Sequence, residues 1–471
     1  MSTAAQEFLR KADEKSFDLR HRKTIRHGID SYESAHNKGK SRFADWEAAR
    51  DRCAQIKAEA LSKLDQYLIQ FEEAVRLRGG HVFWAANSEE ARNYVLEVAK
   101  KNNIRTVIKS KSMVTEEIHL NPLLEEHGIQ VCETDLGEYI VQLRNEPPYH
   151  IVTPAMHLNR SDIAQLFQEK IGGVNTDDPP KLVALARRTL RKAFFAGEMG
   201  ISGANFLVAD AGMIALNTNE GNGRLCTSLP RIHIAMAGIE KIIPRLQDLA
   251  TLWPVLATAG TGQQLTTYCT LIGGARREDE VDGPEQFHVV LLDNGRTELL
   301  ADTEQRDVLR CIRCGACLNA CPIFRNVGGH TYGTTYQGPI GSVLTPHLRG
   351  LKEFNHLSFA SSLCGACTEI CPVRIDLHHH LLQNRRNAVN SGNRPWTERL
   401  AFRLWRWVML GPRRFRVFGW LGRKLMKAVN ALGLSGTRLD PMYKWTTYRA
   451  APDVPGQSFR EMWKRNHVPN Q

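Results

Sequence analysis

No long apolar run interrupts this sequence of 471 residues. The longest stretch without charge, Leu249–Ala275, holds Pro254, four Gly or Gln residues at 260–264 and several threonines, so it is excluded as a membrane span. A basic segment followed by an apolar one is missing from the start, and no secretory signal is expected. No G-x-G-x-x-G run follows an expected strand and no Walker-type lysine loop occurs, so nucleotide sites of the Rossmann or P-loop type are not supported. Acidic residues are scarce at one end only. From Leu381 onward 18 Lys/Arg face four Asp/Glu, so the net charge of +12 resides in the tail and the first 380 residues sum to about −2. What remains is an ordinary globular composition, 42% hydrophobic and 24% charged, long enough for two to four domains.

Seven of the eleven cysteines lie in two runs, C-I-R-C-G-A-C-L-N-A-C-P at Cys311–Pro322 and C-G-A-C-T-E-I-C-P at Cys364–Pro372. Spacings of three, three and four closed by proline form the bacterial ferredoxin pattern, in which three thiolates hold one cluster and the fourth reaches the other. Two residues between thiolates bring successive sulfurs to neighbouring irons, while Gly315 and Ala316 let the backbone curl closely. A zinc ribbon would need paired C-x-x-C units and no seventh thiolate. Crossing over assigns Cys311, Cys314, Cys317 and Cys371 to a fully ligated [4Fe–4S] cluster. Cys321, Cys364 and Cys367 are left for a second, because Ser361 stands where an eighth cysteine would complete the pattern. That second centre is either [3Fe–4S] or [4Fe–4S] with its fourth iron held by a serine, a water, a substrate atom or a partner. The plainer reading makes Ser361 a spacer and the centre a conductor. Cluster cysteines without a secretion signal place the chain in the cytoplasm. Cys53, Cys132, Cys226 and Cys269 lack partners at metal spacing and read as small buried hydrophobes.

The organisation expected along the chain is a helical segment over 1–78, an α/β domain over 79–300, a helical cluster domain over 301–380 and a basic amphipathic helical region over 381–471. Ile56, Ala60, Leu64, Leu68, Phe71 and Val75 recur at helical spacing within Trp46–Leu77, closed by Gly79-Gly80. The Arg20–Arg26 cluster reads as a solvated face. From His81, short apolar runs (HVFWAA, TVIKS, IQVCETD, HIVTPAMH) feed helices through Ser, Thr, Asn or Asp, the signature of βαβ units on a mostly parallel sheet. Ligands of such sheets gather at the carboxyl ends of strands. Lys109, Ser110 and Lys111 fall at one such end, Thr134, Asp135 and Glu138 at another, and Asn217, Asn219, Glu220, Asn222 and Arg224 crowd a polar loop after MIALN. His233 and His288 sit in apolar settings and read as core residues. His330, in an aromatic, glycine-rich loop between the cysteine runs, is a candidate hydrogen-bond donor to a cluster sulfide, and His378–His380 read as surface.

In the tail, Trp396, Leu400, Leu404 and Trp407 form one helical stripe and Arg399, Arg403 and Arg406 another. Basic amphipathic helices with tryptophan suit an anionic membrane surface or an acidic partner. Nothing resembling a nucleic-acid motif supports nucleic acid as the partner.

The combination GANFLVADAGMIALNTNEGNGRL, DGPEQFHVVLLDNGR, LRCIRCGACLNACP, GPIGSVLTP and SSLCGACTEICPV resembles the LutB (LldF, YkgF) family, the iron–sulfur subunits of bacterial L-lactate utilisation, over nearly the whole chain. The resemblance implies a Rossmann-like lactate-utilisation (LUD) domain, akin to sugar-phosphate isomerases (NagB/RpiA) and CoA transferases, joined to an α-helical ferredoxin domain. It implies two [4Fe–4S] clusters, which the missing eighth cysteine leaves open. The departure is His378, where the family leads one to expect proline. The function implied is oxidation of L-lactate to pyruvate by a three-subunit complex with a cysteine-rich subunit of the heterodisulfide-reductase type and a second LUD protein. On that view this chain relays electrons to an acceptor such as quinone, and the basic tail offers peripheral contact with the inner face of the membrane. No flavin motif and no His/Arg set of a hydroxy-acid dehydrogenase is recognisable. The LUD domain is a candidate binder of lactate or another anion, with Lys109 and Lys111 as the first residues to serve it. Two readings compete: a self-contained oxidoreductase with substrate bound by the LUD domain beside the open cluster, and the same relay serving glycolate or glycerol 3-phosphate.

Overall fold

The structure is a computed structural model that describes residues 2–173, 176–450 and 453–467. It divides into two compact units, the first ending at Asn393 and the second beginning at Arg394. The expected boundary at 381 falls inside the helix Leu377–Asn390.

Four helices open the chain, Thr3–Phe17, Leu19–Lys40, Trp46–Ser62 and Leu64–Leu77. The single helix expected over Trp46–Leu77 is broken at Lys63, whose backbone leaves the helical region at φ −133°. The predicted apolar stripe survives the break, and Ile56, Ala60, Leu64, Leu68, Phe71 and Val75 are all buried.

Ten strands follow: β1 (His81–Ala85), β2 (Thr106–Lys109), β3 (Gln130–Glu133), β4 (Met199–Gly203), β5 (Phe206–Val208), β6 (Met213–Thr218), β7 (Ile232–Gly238), β8 (Ile242–Ile243), β9 (Tyr268–Ile272) and β10 (Gln286–Leu292). Six of them build one wholly parallel sheet in the order β1-β10-β7-β4-β2-β3. β7 is buried along its full length, as a central parallel strand covered on both faces should be. The other four form a mixed sheet, β8-β5-β6-β9. At Gly200 in β4 the backbone passes so close to the helix Asn222–Ser228 that an added Cβ would lie 1.8 Å from the Cys226 carbonyl oxygen.

One expected strand is not there. HIVTPAMH, His150–His157, forms turns, with the Tyr149 N–H donating to the Pro154 carbonyl at 2.9 Å. Pro147, Pro148 and Pro154 remove three ladder donors within eight residues, which is incompatible with a central strand.

The cysteine region is helical, and its 42-residue spacer contains the helices Gly338–Arg349 and Leu351–Phe359. It does not stand apart. Ile25, Ile29 and Ile56 from the first helices, Phe206 and Ile243 from the mixed sheet, and six of the seven run cysteines belong to one contiguous apolar core. The helices expected as a separate segment therefore cover the cluster region. In the second unit, Trp396–Met409 buries none of its residues and Pro412–Ala431 buries only Val429. Arg414 stacks on Trp407 at 4.5 Å. Among the described residues no helix is long and apolar enough to cross a membrane.

Gly200→Ala is expected to lower stability by about 2–3 kcal/mol, because both partners of the clash are backbone. Gly221→Ala, which meets nothing within 4 Å, should stay within about 0.5 kcal/mol of wild type. Urea unfolding midpoints of the two variants check this.

Candidate iron–sulfur site and the cleft beside it

The two cysteine runs are conformational copies. In the first, Arg313 and Gly315 hold left-handed backbone (φ 60° and 79°) ahead of the helix Ala316–Ala320. In the second, Leu363 and Gly365 repeat it (φ 55° and 84°) ahead of Ala366–Ile370. The Arg313 N–H donates to Cys311 Sγ at 3.4 Å, and in the copy the Leu363 N–H donates to Ser361 Oγ at 3.1 Å. Ser361 thus keeps the hydrogen bond and the turn of a ligand position.

A small cavity is lined by Cys311, Cys314, Cys317 and Cys371 together with Ile151 and Ile340. Burial raises the Cys314 and Cys317 thiols, and the neighbouring cysteines push them further. Cys371 is raised to about 11, mainly by burial. The remaining three form a second group. Burial, then Cys321 and Cys364, lift Cys367 to about 12. Cys364 alone is exposed, and its thiol is lowered by the Ala366 N–H and the Ser362 hydroxyl. Buried thiols that resist ionisation among like neighbours are a donor set that only a cationic centre makes favourable as thiolates, so the residues fit iron–sulfur clusters.

Behind the first group runs a buried charge network. Glu240 accepts from Arg296 at 2.6 Å and from Arg313 at 3.1 Å. Arg296 also pairs with Glu117 at 2.8 Å, and Glu117 accepts from the Tyr336 hydroxyl at 2.6 Å. Burial works to raise the Glu240 carboxyl, but Arg296 and Arg313 overcome it and hold it at about 2. Lys57 and Lys241 are buried beside these groups. Burial and the other cations lower Lys57 to about 7 and Lys241 to about 8. Lys57 donates to the Ile242 carbonyl at 3.0 Å, whereas Lys241 has no hydrogen-bond partner among the described residues. Two carboxylates against two guanidiniums and two lysines, whose ammonium forms burial weakens, leave this interior electropositive next to Cys311 and Cys314.

A cleft opens over the same turn. Ser110, Lys111, Asp135, Asn217, Glu220 and Asn222 line it as the sequence suggested, and Asn205, Lys241, Arg313 and Cys314 complete it. Lys111 donates to the Val152 carbonyl at 2.6 Å. Lys109, the other first candidate, is withdrawn: it is buried and paired with Glu133 at 2.5 Å and Glu116 at 2.9 Å. Thr134 donates to the Lys109 carbonyl at 2.8 Å, and Glu138 is buried with its carboxyl pushed up by burial. Arg224 stacks on Tyr268 at 5.4 Å. Burial and Asp135 raise Glu220 to about 6.

The histidines divide. His233 shares a hydrogen bond with Ser202 (2.8 Å) and His288 one with Tyr94 (2.8 Å), both buried as expected. His330, the candidate donor to a cluster sulfide, bonds through Nε2 to the Pro147 carbonyl at 2.7 Å. His380, expected on the surface, is buried with its ring 2.7 Å from Asp307. Cys53 and Cys226 are buried, while Cys132 and Cys269 are half-buried.

Arg296→Met, which leaves Glu117 and Glu240 buried without their common cation, is expected to cost about 3–5 kcal/mol. Arg386→Ala removes an exposed pair with Glu304 and should cost under about 1 kcal/mol. Thermal unfolding of the two variants separates these outcomes.

Three family models match the chain: a LUD domain over residues 68–292, a 4Fe–4S dicluster domain over 307–375 and the C-terminal region of lactate utilisation protein B over 379–468. Lactate utilization protein B of Bacillus cytotoxicus is 46% identical over 435 residues, 91% of this chain and 90% of the relative. Lactate utilization protein B 2 of Bacillus mycoides is 45% identical with the same coverage. A solved DUF162 family protein from Deinococcus radiodurans aligns with 49% of this chain and 98% of its own at 14% identity, with a TM-score of 0.28, too low to bear on the fold. With close to half its residues shared across nine-tenths of its length, the chain belongs to the lactate utilisation protein B family.

Proposed function

We propose that this chain is the iron–sulfur electron-transfer subunit of a multi-subunit complex that oxidises L-lactate to pyruvate. The observation that carries the reading is the cavity lined by three thiols of the first run and one of the second. On this reading Cys311, Cys314, Cys317 and Cys371 hold one [4Fe–4S] cluster, and Cys321, Cys364 and Cys367 hold a second. Ser361 Oγ takes the fourth position of the second cluster, supported by the repeated turn and by the N–H contact it shares with Cys311. Bound clusters supply reversible one-electron transfer.

The chain's own residues then do three things. The apolar shell of Ile151, Ile312, Ile340 and Val373 keeps water from the first group. Arg313, Lys57 and Lys241 offset negative charge gathered there, which favours a higher potential. Exposed Cys364 puts the second group at the surface, where a partner subunit can exchange electrons. The partners of this reading are a cysteine-rich subunit of the heterodisulfide-reductase type and a second LUD protein, in the cytoplasm. The basic tail, with Trp396 and Trp407 exposed beside its arginines, serves contact with an acidic partner or with the inner membrane surface. One observation favours a self-contained oxidoreductase instead: the cleft reaches Cys314. It adjoins the fully ligated group, however, whereas that reading expected substrate beside the open one.

Anaerobically purified protein should contain about eight irons. Ser361→Ala should convert the second centre to one with about seven irons in total and a [3Fe–4S] EPR signal, while Ser361→Cys should keep eight and raise that centre's potential. Unchanged spectra and iron content in both variants would dismiss Ser361 as a ligand. Incubated alone with lactate and an artificial acceptor, the chain should show no turnover; turnover without partners favours the self-contained enzyme.

A further inference from the structure

The cleft over the Arg313–Cys314 turn is built as a ligand site. Its walls come from the carboxyl ends of parallel strands: Ser110 and Lys111 follow β2, Asn205 follows β4 and Lys241 follows β7. The mixed sheet adds Asn217 from the end of β6. Strand ends of this kind are where open α/β sheets bind their ligands. The cleft measures about 390 Å³, within the ordinary range for small-molecule sites.

Its polar groups are not balanced within the chain. Lys241 is only 7% exposed and has no hydrogen-bond or ion-pair partner among the described residues. Arg313 spends one terminal nitrogen on Glu240 at 3.1 Å, and its other, Nη1, is buried without an acceptor. Asn217 presents the opposite deficit. Its Nδ2 donates to Thr266 Oγ1 at 3.1 Å, while its Oδ1 is buried without a donor. Buried polar groups without partners are costly and rare, and two such atoms bordering one cleft, beside a lysine that no hydrogen bond engages, point to a missing molecule. Two donors of positive charge ask for an anion with acceptor oxygens, best a planar carboxylate that a guanidinium can share. One orphan acceptor asks for a hydroxyl.

We propose that this cleft binds a small hydroxycarboxylate anion, with its carboxylate served by Lys241 and Arg313 and its hydroxyl donating to Asn217. The proposal deepens the lactate reading and rests on it for the choice of probe. Glu220 and Asp135, which also line the cleft, set a limit by charge: they repel a second carboxylate, so a monocarboxylate is favoured over a dicarboxylate.

The test is anaerobic titration calorimetry of the full-length, cluster-loaded chain with L-lactate, propionate and inorganic phosphate, with the EPR spectrum followed in parallel. L-lactate should bind saturably and perturb a cluster signal, since Cys314 borders the cleft. Propionate, which lacks the hydroxyl, should bind at least about tenfold more weakly. Lys241→Met should weaken lactate by at least about tenfold, and Lys192→Met, at an exposed site outside the cleft, should not. Asn217→Ala should erase the advantage of lactate over propionate; this second variant decides the matter should Lys241→Met lose its clusters. Lactate binding that ignores both substitutions, or phosphate binding in place of lactate, overturns the proposal. Either result leaves the electron relay standing, whereas absent clusters with intact lactate binding would sink the relay and spare the cleft.

Discussion

The rest of the first unit depends on bringing two cysteine runs, 42 residues apart in the chain, face to face inside an apolar core. Thiolates carry like charge, and burial makes that charge more costly, as the raised Cys314, Cys317 and Cys367 thiols display. Such a gathering is stable only if something positive stands close. Part of the answer is metal, and part is built in: Arg313, inside the first run, reaches Glu240, which Arg296 ties to Glu117 and hence to Tyr336. The network joins the cysteine turn to the helix after β2 and to the strand ends β7 and β10. It ties the cluster region to the α/β part of the same compact unit.

The same constraint orders the N-terminal helices. Arg50 is buried and donates to the Cys371 carbonyl at 3.1 Å, so the helix Trp46–Ser62 locks the end of the second run. Arg374, two residues beyond Pro372, pairs with Asp51 at 2.7 Å. These contacts hold the crossing cysteine, Cys371, toward the first group rather than toward its neighbours in sequence. A backbone-directed guanidinium does here what a local turn cannot: it fixes a segment from more than 300 residues away.

Local patterns in the sequence foretold the elements that local physics controls. Cysteine spacing marked both runs, and apolar bursts separated by capping residues marked the parallel sheet. Period-four apolar residues marked the stripe through Val75. The misses, with one exception, required knowledge of a partner remote in the fold. Lys109 reads as a strand-end cation until Glu133 and Glu116 are seen to neutralise it. Lys241 reads as an ordinary charge after a strand until its burial without a partner is known. His380 belongs to a surface-like trio, yet Asp307 accepts it into the interior. The segment His150–His157 has strand-like residues, but Pro147, Pro148 and Pro154 decide against a ladder. That last error was avoidable, since the prolines are visible in the sequence.

The asymmetry between the two groups of thiols is the point at which structure and proposed function meet. The first group is enclosed, backed by cations and adjacent to the cleft; the second is open at Cys364 and short of one cysteine. Positive charge close to the first group favours accepting an electron there, while exposure gives a partner access to the second. On the proposed reading, a serine ligand in place of the eighth thiol lowers the potential of the second centre, because a harder oxygen donor stabilises the more oxidised iron. The missing cysteine and the exposed edge therefore act together. On the proposed reading the serine makes the outer group the readier donor, and the exposed edge at Cys364 gives a partner access to it.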